Sequence, residues 1–326
     1  MNEIMTGNTS TSLSVKKRLF SGIQPSGALH IGNYFGALQQ WLTHQEEYDC
    51  RFCVVDYHAL TSVKDAALLK ENTLNAFKDL LAIGIDPQKS VLFQQSTVQE
   101  HPELAWVLET LVPVSLLELG HAYKDKVAKG LDANVGLFTY PMLMAADILL
   151  YDTDVVPVGE DQRQHVEYAR EAAAKFNNAF GQTFTEPKER ILKEVSVVPG
   201  TDGKKMSKSY GNTIPLFGTR EEISKAVMSI VTDSSGEMPA NVYAIHKLVK
   251  SEEELKPFYE ANKRSYKTLK EKLVEDLENF IAPMREKRNS ITDDEVRRVI
   301  AEGKEKAGAI AKQKMIEVRE KLGISI

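Results

Sequence analysis

Cysteine is nearly absent from this 326-residue chain, which carries only Cys50 and Cys53. A structural zinc site of the four-cysteine kind needs a second pair, so this single Cys-x-x-Cys does not provide one. The pair lies in an apolar stretch that ends at Asp56, and buried strand thiols are favoured roughly four to one over a metal or redox role. So few cysteines fit a reducing cytoplasm.

Long apolar runs are also missing, since none approaches the roughly 18 residues that cross a membrane. Residues 1–14 are rich in Ser, Thr and Asn and lack the apolar centre of a secretory signal. We therefore expect a cytoplasmic location without membrane association, and we expect residues 1–17 to be a disordered leader.

An excess of basic residues is the third absence, because the net charge is −5. Chains that bind nucleic acid usually have a basic balance. The composition therefore argues mildly against an RNA partner, and any contact with RNA must come from local patches of charge.

What is present is an alternation of strand and helix patterns in the first half of the chain. This alternation predicts an α/β fold, with a doubly wound, Rossmann-like parallel sheet covered by helices on both faces. The predicted strands are 18–23, 52–57, 91–93 and 154–158, and the helices between the first three are 30–46 and 65–82.

The pattern changes after about Gly211, where amphipathic helical patterns with charged faces replace the strand patterns. Sequence alone leaves open whether the last helix packs back on the first domain. The expected parts are a Rossmann-like domain at 18–200, a mobile loop at 201–211, a smaller all-helical domain at 212–292 and a C-terminal helix at 293–326.

The first candidate site is the segment Gly22–Asn33, which follows the first strand and opens the first helix. Ligands bind at the carboxyl ends of parallel strands, and a helix start presents free N–H groups to an anion. Gly27 and Gly32 allow the backbone to approach a flat base or a phosphate closely. His30 and Asn33 can project from one side of the first turn and stabilise charge on a phosphate. The alternative is a glycine-bearing turn that caps a core helix.

The second candidate site is Lys205-Met-Ser-Lys-Ser209, at the predicted domain junction. Its two lysines, Lys205 and Lys208, are three residues apart on a mobile loop, which suits a leaving pyrophosphate. Taken by itself, a short lysine-rich segment is more often a solvated basic linker, by about three to one.

The two motifs in this order resemble the signature pair of the class I aminoacyl-tRNA synthetases, and the resemblance covers nearly the whole chain. Within that class the sequence is similar to the bacterial-type tryptophanyl-tRNA synthetases. Three segments carry the closer resemblance: 22–27, Tyr140–Tyr151 and Val158–His165. It implies ATP-dependent adenylation of L-tryptophan with release of pyrophosphate, followed by transfer to a terminal ribose hydroxyl of tRNA(Trp). Catalysis would belong to 18–200 and anticodon binding to 212–292.

The resemblance also implies a set of residues that bind ATP. It gives the catalytic roles to His30, Asn33, Lys205 and Lys208. Among the implied ATP-binding residues, Glu160 and Asp161 would also be good residues at a helix start, so helix capping is a strong alternative for them. The further ATP contacts that it implies are Gln24, Pro25, Ser26, Gly32, Gly159, Glu160, Asp161, Val198, Met206, Ser207 and Ser209.

The segment Tyr140–Tyr151 is where amino-acid selection would lie, because Asp147 sits on an otherwise apolar helix face. A carboxylate in apolar surroundings is costly unless it is paired or hydrogen-bonded. On residue pattern alone, a pocket carboxylate and one that is turned to the surface or paired with a cation are equally favoured. The resemblance implies that Asp147 accepts the indole N–H, that Met144 packs on the ring, and that Tyr140 and Gln162 hold the α-amino group.

An indole offers one donor and no acceptor, so a lone acceptor would select it over phenylalanine. Tyrosine also has a donor, and the shape of the pocket must exclude it. His58, after the second predicted strand, is a further candidate for the tryptophan pocket, although a lone histidine there is more often a satisfied core residue.

The implied partners are ATP, L-tryptophan, tRNA(Trp) and a second copy of the chain in a homodimer. Mg²⁺ would be held by the nucleotide and water, so no metal site made by the protein is expected. Three alternatives stay open: a tyrosine-specific relative, a small adenylyltransferase, and a catalytically silent synthetase-like protein that binds tRNA. Met144–Asp147 argues against the first and the long helical part against the second, while turnover that depends on tryptophan would exclude the third.

Overall fold

The computed structural model describes residues 16–120, 123–124, 128, 134–159, 163–191, 198–232 and 238–325. Within these ranges five strands form one parallel sheet in the order β3-β2-β1-β4-β5. The α/β, Rossmann-like class that the sequence predicts is confirmed. The strands are β1 Arg18–Ile23, β2 Asp49–Val54, β3 Val91–Gln94, β4 Val155–Val158 and β5 Lys188–Ile191.

Helices surround the sheet and make up the second part of the described chain. None of the helices in the described ranges is both long and apolar enough to cross a membrane. A π-helical turn, Tyr34–Leu38, joins the first two helices. The helices around the sheet are α1 Ile31–Asn33, α2 Gln39–Glu47, α3 Asp56–Ala59, α4 Ala66–Ile83, α5 Glu100–Glu109, α6 Val114–Leu117, α7 Val135–Leu149 and α8 Arg163–Phe180. Those that follow are α9 Arg220–Met228, α10 Ala240–His246, α11 Glu252–Ala261, α12 Tyr266–Ser290 and α13 Asp293–Leu322.

Alternate residues of the central strands enter two hydrophobic clusters, one on each face of the sheet, as the two-residue period of a strand requires. Leu19 and Phe52 belong to a cluster that continues into α9, α10 and α12. Phe20 belongs to the other cluster, which includes α5, α7 and α8. Cys50 and Cys53 lie on β2 as free, buried thiols, so the strand-thiol interpretation is confirmed.

The second strand was predicted three residues too late, because Asp56 opens helix α3 and does not continue β2. Its carboxylate accepts hydrogen bonds from the backbone N–H of Ser96 at 2.9 Å and from Nε2 of Gln94 at 2.7 Å. These bonds tie the end of β2 to the end of β3 and turn the chain into a helix.

The last helix, α13, lies along β3 and is tied to the first part of the chain. Arg319 donates to Glu103 of α5 at 2.8 and 2.5 Å. At Gly303 a Cβ would lie 2.0 Å from the carbonyl oxygen of Leu92, so only glycine allows the helix to approach the strand this closely. The packing that the sequence left open is therefore contact with the sheet.

We expect Gly303→Ala to destabilise the fold by roughly 2–4 kcal/mol, because the added methyl group meets backbone atoms that cannot rotate away. Gly308→Ala on the same helix is the matched control, since its Cβ would meet no atom within 4 Å. That variant should be neutral or more stable by about 0.5–1 kcal/mol. Urea unfolding of both variants measures the difference, and equal stabilities would contradict the close approach of α13 to β3.

Candidate active site

The carboxyl ends of the parallel strands bring the predicted site residues to one edge of the sheet. The loop from Gln24 follows β1, His58 follows β2, Gln95 follows β3 and Gly159 follows β4. In open parallel sheets this edge is where ligands bind. The side chains of the site therefore come from four strand ends and from the segment after 198.

The two sequence motifs lie against each other. The N–H of Ile31 donates to the carbonyl of Ile214 at 3.0 Å, and that of Leu216 donates to the carbonyl of Leu29 at 3.0 Å. Met206 is buried, and a Cβ at Gly32 would lie 3.2 Å from its Cβ. Met206 thus anchors the lysine-bearing loop on the first helical turn.

The two lysines of the second motif have different surroundings. Nζ of Lys208 donates to the carbonyls of Ser26 at 3.2 Å and Gly27 at 2.9 Å, so it rests on the loop after β1. Partial burial lowers the pKa of Lys208, and the charge of Asp79 offsets part of this effect. Lys205 is exposed to solvent. One lysine therefore already bridges the motifs, and the other faces outward.

The sequence predicted that His30 and Asn33 project from one side of the first helical turn. In the structure the two side chains do not project together. Oδ1 of Asn33 turns back and accepts the backbone N–H of His30 at 3.1 Å, which caps α1. The imidazole of His30 is buried, and its Nδ1 has no hydrogen-bond partner among the described residues. Burial, together with the charge of Lys208, lowers the pKa of His30 to about 4. His30 is therefore a neutral imidazole near pH 7.

Asn212, which the sequence reasoning missed, fixes the path of the lysine-bearing loop. Its Oδ1 accepts the N–H of Ser207 at 2.8 Å, and its Nδ2 donates to Asp202 at 2.7 Å and to the carbonyl of Lys205 at 3.1 Å. The hydroxyls of Ser207 and Ser209 are 2.9 Å apart. A buried amide thus holds both sides of the loop from beneath.

Helix α7 carries the predicted tryptophan contacts on one face, since Tyr140, Met144 and Asp147 are separated by four and three residues. Tyr140 and Met144 are half-buried, whereas Asp147 is 1% exposed. The hydroxyl of Tyr140 is 2.5 Å from Nε2 of His165. This face therefore runs from a partly open aromatic end to a buried carboxylate.

Asp147 accepts hydrogen bonds from three side chains. Nε2 of His58 lies 2.8 Å from its Oδ2, while Nε2 of Gln95 and Nδ1 of His101 lie 2.7 and 2.6 Å from its Oδ1. Burial by itself raises the pKa of Asp147, but the bonds from His101 and His58 outweigh it and bring the pKa to about 2. The carboxylate is ionised at neutral pH, so both histidines donate to it.

Gln95, His101 and Tyr151 were not found from the sequence. Oε1 of Gln95 accepts the N–H of Tyr57 at 3.0 Å, and Nε2 of His101 is hydrogen-bonded to the hydroxyl of Tyr151 at 2.8 Å. These three side chains are at most 1% exposed. Each stands alone in the chain without a diagnostic spacing, so only the fold reveals that they converge on Asp147.

The remaining predicted residues take several positions. Pro25 is buried, and Gln24 and Ser26 are exposed on the loop after β1. The carbonyl of Val198 accepts the N–H of Met206 at 2.9 Å. Three further predicted residues lie outside the described residues: Glu160, Asp161 and Gln162.

Comparison with known proteins identifies the family of the chain. The family model of class I tRNA synthetases (W and Y) matches residues 14–297. The tryptophan–tRNA ligase of Fusobacterium nucleatum is 49% identical, over 94% of this chain and 98% of that protein. The tryptophanyl-tRNA synthetase of Campylobacter jejuni, solved with ADP and tryptophan, has a TM-score of 0.89 at 46% identity, covering 94% of this chain and 99% of that one.

A more distant structure, the tryptophanyl-tRNA synthetase of Mycoplasma pneumoniae, has a TM-score of 0.82 at 30% identity over 95% of this chain and 99% of that one. These similarities extend over nearly the full length of both partners in each comparison. The chain therefore belongs to the class I tRNA synthetases of the tryptophan and tyrosine group, in the family of tryptophan–tRNA ligases.

Proposed function

We propose that this chain ligates L-tryptophan to tRNA(Trp) in two steps, with ATP as the second substrate of the first step. The observation that carries the proposal is the ionised, buried Asp147 at the closed end of the half-open face of α7. A carboxylate can only accept hydrogen bonds, and the indole ring has a single N–H to donate. The names of the relatives point to the same amino acid.

In the first step a carboxylate oxygen of tryptophan attacks the α-phosphorus of ATP. A new P–O bond forms to the amino acid, the bond to the bridging oxygen of the β-phosphate breaks, and pyrophosphate leaves with the electron pair. Such transfers depend on positioning and on stabilisation of charge. Neutral His30 lies at the α-phosphate end, and Lys205 and Lys208 bind the leaving phosphates.

Lys208 has to change partners during this step, because its ammonium group rests on the carbonyls of Ser26 and Gly27. Phosphate oxygens carry full charge and are stronger acceptors than peptide carbonyls. ATP would therefore draw Lys208 from these carbonyls while Met206 keeps the loop attached to Gly32. Closure is then a short movement of one side chain and the adjacent turn.

Mg²⁺ would enter with the nucleotide, held by phosphate oxygens and water, and would neutralise charge on the leaving pyrophosphate. Two buried carboxylates at this edge, Asp56 and Asp147, already accept N–H and O–H donors. In the ranges that the structure covers, no group of three or more acidic, His or Cys side chains is arranged to hold a metal ion. The donor set thus suits an ion that the nucleotide carries.

Tryptophan would lie along α7, with its indole ring against Met144 and its N–H on Asp147. Oδ1 of Asp147 already has two donors and Oδ2 has one, and a carboxylate offers about four acceptor positions. The remaining position is therefore on Oδ2, beside His58. Tyr140 and Gln162 would hold the α-amino group at the open end of the same face.

In the second step the activated tryptophan passes to a terminal ribose hydroxyl of tRNA(Trp), with AMP as the leaving group. The helical part of the chain would bind the anticodon, because RNA is read mostly through exposed single-stranded bases. Exposed Lys263 and Arg264 lie in the turn between α11 and α12, and Nζ of Lys247 lies 5.3 Å from the centre of the Tyr243 ring. Local groups of this kind can contact phosphates and bases although the net charge of the chain is negative.

The homodimer is supported by a set of exposed apolar side chains on neighbouring elements. The exposed fraction is between 49% and 76% for Trp106 of α5, Val114 of α6, Leu119, which follows α6, and Val135 of α7. Apolar side chains of this size, grouped on elements that pack together, mark an interaction surface. A second copy in the cytoplasm would cover them, and sedimentation of the wild-type protein measures its mass.

The test of the proposal is ATP–pyrophosphate exchange with tryptophan, tyrosine or phenylalanine. Exchange that depends on tryptophan alone is the expected result. Exchange with tyrosine would keep the chemistry but remove the indole assignment from Asp147. No exchange with any of the three, by protein that circular dichroism shows to be folded, would reject the proposed activity.

We also expect the contribution of His30 to be independent of pH. Its pKa of about 4 lies below the ordinary 6.5, so the folded protein holds it neutral while the unfolded chain binds a proton between these values. Its effect on stability therefore becomes unfavourable as the pH falls below 6.5. Exchange rates of His30→Asn and the wild type, measured from pH 6 to 8.5, should keep a constant ratio. A ratio that follows a titration near pH 7 would contradict the neutral imidazole.

A further inference from the structure

Asp147 is surrounded by buried polar side chains that the reaction itself does not use. We propose that Gln95 and the His101–Tyr151 pair are positioning residues for amino-acid selection: they hold Asp147 so that one acceptor position on Oδ2 is offered to the indole N–H. The inference rests on the proposed function, because it assigns the cause of its specificity. It requires no contact between these three residues and the substrate.

The orientation of the Gln95 amide is determined by its surroundings. A carboxamide has one accepting and one donating end, and Oε1 of Gln95 accepts the N–H of Tyr57 at 3.0 Å. Nε2 must then point to Asp147, where it donates to Oδ1 at 2.7 Å. The backbone at the start of α3 thereby fixes the direction of a hydrogen bond to the carboxylate.

Asp147 fixes the tautomer of His101, and Tyr151 holds the other side of the ring. Nδ1 of His101 lies 2.6 Å from Oδ1 of Asp147 and must donate, because the carboxylate only accepts. In a neutral imidazole the other nitrogen, Nε2, is then an acceptor, and the hydroxyl of Tyr151 donates to it from 2.8 Å. Without that hydroxyl Nε2 would be buried without a hydrogen-bond partner, and the ring would lose the bond that holds its orientation toward Asp147.

Together these bonds fill Oδ1 and leave Oδ2 for His58 and the substrate. If Oδ1 were free, the carboxylate could rotate and offer an acceptor away from the ring of the substrate. Gln95 and His101 are 0% exposed and Tyr151 is 1% exposed, so water does not compete for these bonds. The arrangement converts a rotatable carboxylate into an acceptor with one direction.

The helical part of the chain contains a similar hydrogen-bond chain that serves as a comparison. Nδ1 of His246 is 3.1 Å from the hydroxyl of Tyr259, and its Nε2 is 2.9 Å from Oδ2 of Asp276. This chain links α10, α11 and α12 and lies outside the strand edge that carries the site. Removal of the same hydroxyl group there reports the purely structural cost.

The sharpest test is Gln95→Glu, which keeps the size of the side chain. One carboxylate oxygen would still accept the N–H of Tyr57, and the other would face Oδ1 of Asp147. Two carboxylates in this position share a proton, which raises the pKa of one of them. The protonated side chain donates to Asp147 as the amide does, and the deprotonated one repels it.

The pH readout has to be interpreted against every titratable group near the new carboxyl group. The titratable and charged groups linked to this cluster are Asp147 on α7, His58 on α3, His101 on α5, Tyr151 after α7, Cys53 and Arg51 on β2, Asp56 at the start of α3 and Glu100 at the start of α5. All of them are also present in the wild type. The ratio of the two proteins at each pH therefore reports the titration of the new carboxyl group together with Asp147, to which it is coupled.

We expect the KM for tryptophan of Gln95→Glu, divided by that of the wild type, to rise with pH in ATP–pyrophosphate exchange. The ratio should climb from near unity at pH 5.5 to ~10- to 100-fold at pH 8.5, the effect of losing a hydrogen bond to a charged group. The KM for ATP and kcat should stay within about threefold. A ratio that does not change with pH overturns the role of Gln95.

Tyr151→Phe and Tyr259→Phe form the matched pair for the histidine. Tyr151→Phe should raise the KM for tryptophan about 3- to 10-fold with the KM for ATP unchanged, while Tyr259→Phe should leave both constants as they are. Equal constants for the two variants overturn the role of the His101–Tyr151 pair. Exchange by the wild type is measured in the same experiment, and its absence would reject the proposed function and not the positioning.

Discussion

Replacement of Asp147 by asparagine is expected to lower kcat/KM for tryptophan ~100- to 1000-fold in ATP–pyrophosphate exchange, a loss of about 3–4 kcal/mol. The amide keeps the size of the side chain, and its oxygen can still accept from Gln95 and His101. Its nitrogen would replace Oδ2 and present an N–H to the N–H of the indole. The KM for ATP should change less than about threefold, because ATP lies at the other end of the site.

Asp276→Asn is the control for this variant, since Asp276 is a buried carboxylate that also pairs with a histidine. It should cost stability without changing the constants for tryptophan. Equal losses for tryptophan and ATP in Asp147→Asn would count against the assigned role.

The pH dependence of Asp147 has a definite sign. The pKa of Asp147 falls from 3.8 to about 2 on folding, so its hydrogen bonds stabilise the fold fully above pH 3.8. This stabilisation is lost as the pH falls toward 2. Protonation of Asp147 therefore does not contribute to any change in tryptophan recognition between pH 5 and 8. A profile whose inflection in that range disappears in Asp147→Asn would contradict the depressed pKa.

Lys208→Ala is expected to slow the activation step ~100- to 1000-fold while tryptophan affinity stays within about twofold, since this cation acts on the phosphates. Lys208 is the one lysine of the two that already bridges the motifs, through Ser26 and Gly27. Lys205→Ala should show a loss in the same direction. Pre-steady-state formation of the adenylate, together with equilibrium binding of tryptophan, separates the two quantities.

Lys204→Ala is the matched control, because Lys204 is an exposed lysine on the same loop. It should react within about threefold of the wild type, as expected for an exposed charge. Normal activation rates in both Lys205→Ala and Lys208→Ala would remove the loop from the mechanism. A loss as large in Lys204→Ala would instead assign the effect to the overall charge of the loop.

Much of the fold could be predicted because local patterns and tertiary packing agree along several elements. Helix α4 begins after Asp65, whose side chain accepts the N–H of Leu68, and it ends at Gly84 with a φ of 114°. The C-terminal helix predicted from residue 293 also agrees at its start with the observed one, Asp293–Leu322, which starts after Thr292 and ends before Gly323. Capping residues of this kind are adjacent in the sequence to the helix ends, so they can be recognised without the structure.

The strands that the sequence missed or misplaced are those whose formation and bounds depend on tertiary contacts. Among the described residues, strand β5, Lys188–Ile191, pairs with β4 alone at the edge of the sheet, and its half-exposed, charged sequence has no apolar pattern on which a prediction could rest. Strand β2 starts at Asp49 because Arg51, although charged, is buried and pairs with Asp49 at 2.8 Å. Neither the pairing nor the burial is visible in the local sequence.

The same distinction applies to the site. The two motifs could be found from the sequence, since their residues are contiguous and their spacing has a physical meaning, and the structure brings them together. Asn33 shows the limit of prediction from motif spacing. Its spacing from His30 fits both projection toward a ligand and capping of the helix, and the structure has Asn33 as a cap. Gln95 and His101 lie about fifty residues before Asp147 in the chain, and only the packing of the end of β3 and of α5 against α7 joins them, with Tyr151, to Asp147.

The central claim is that the indole N–H is recognised by Asp147, and an analogue of tryptophan with sulfur in place of that N–H tests it most directly. The measurement is kcat/KM in ATP–pyrophosphate exchange for tryptophan and for 3-benzothienylalanine, with the wild type and with Asp147→Asn. We expect a preference of at least ~100-fold for tryptophan in the wild type, which falls below about fivefold in the variant. Equal use of the two amino acids by the wild type would contradict it.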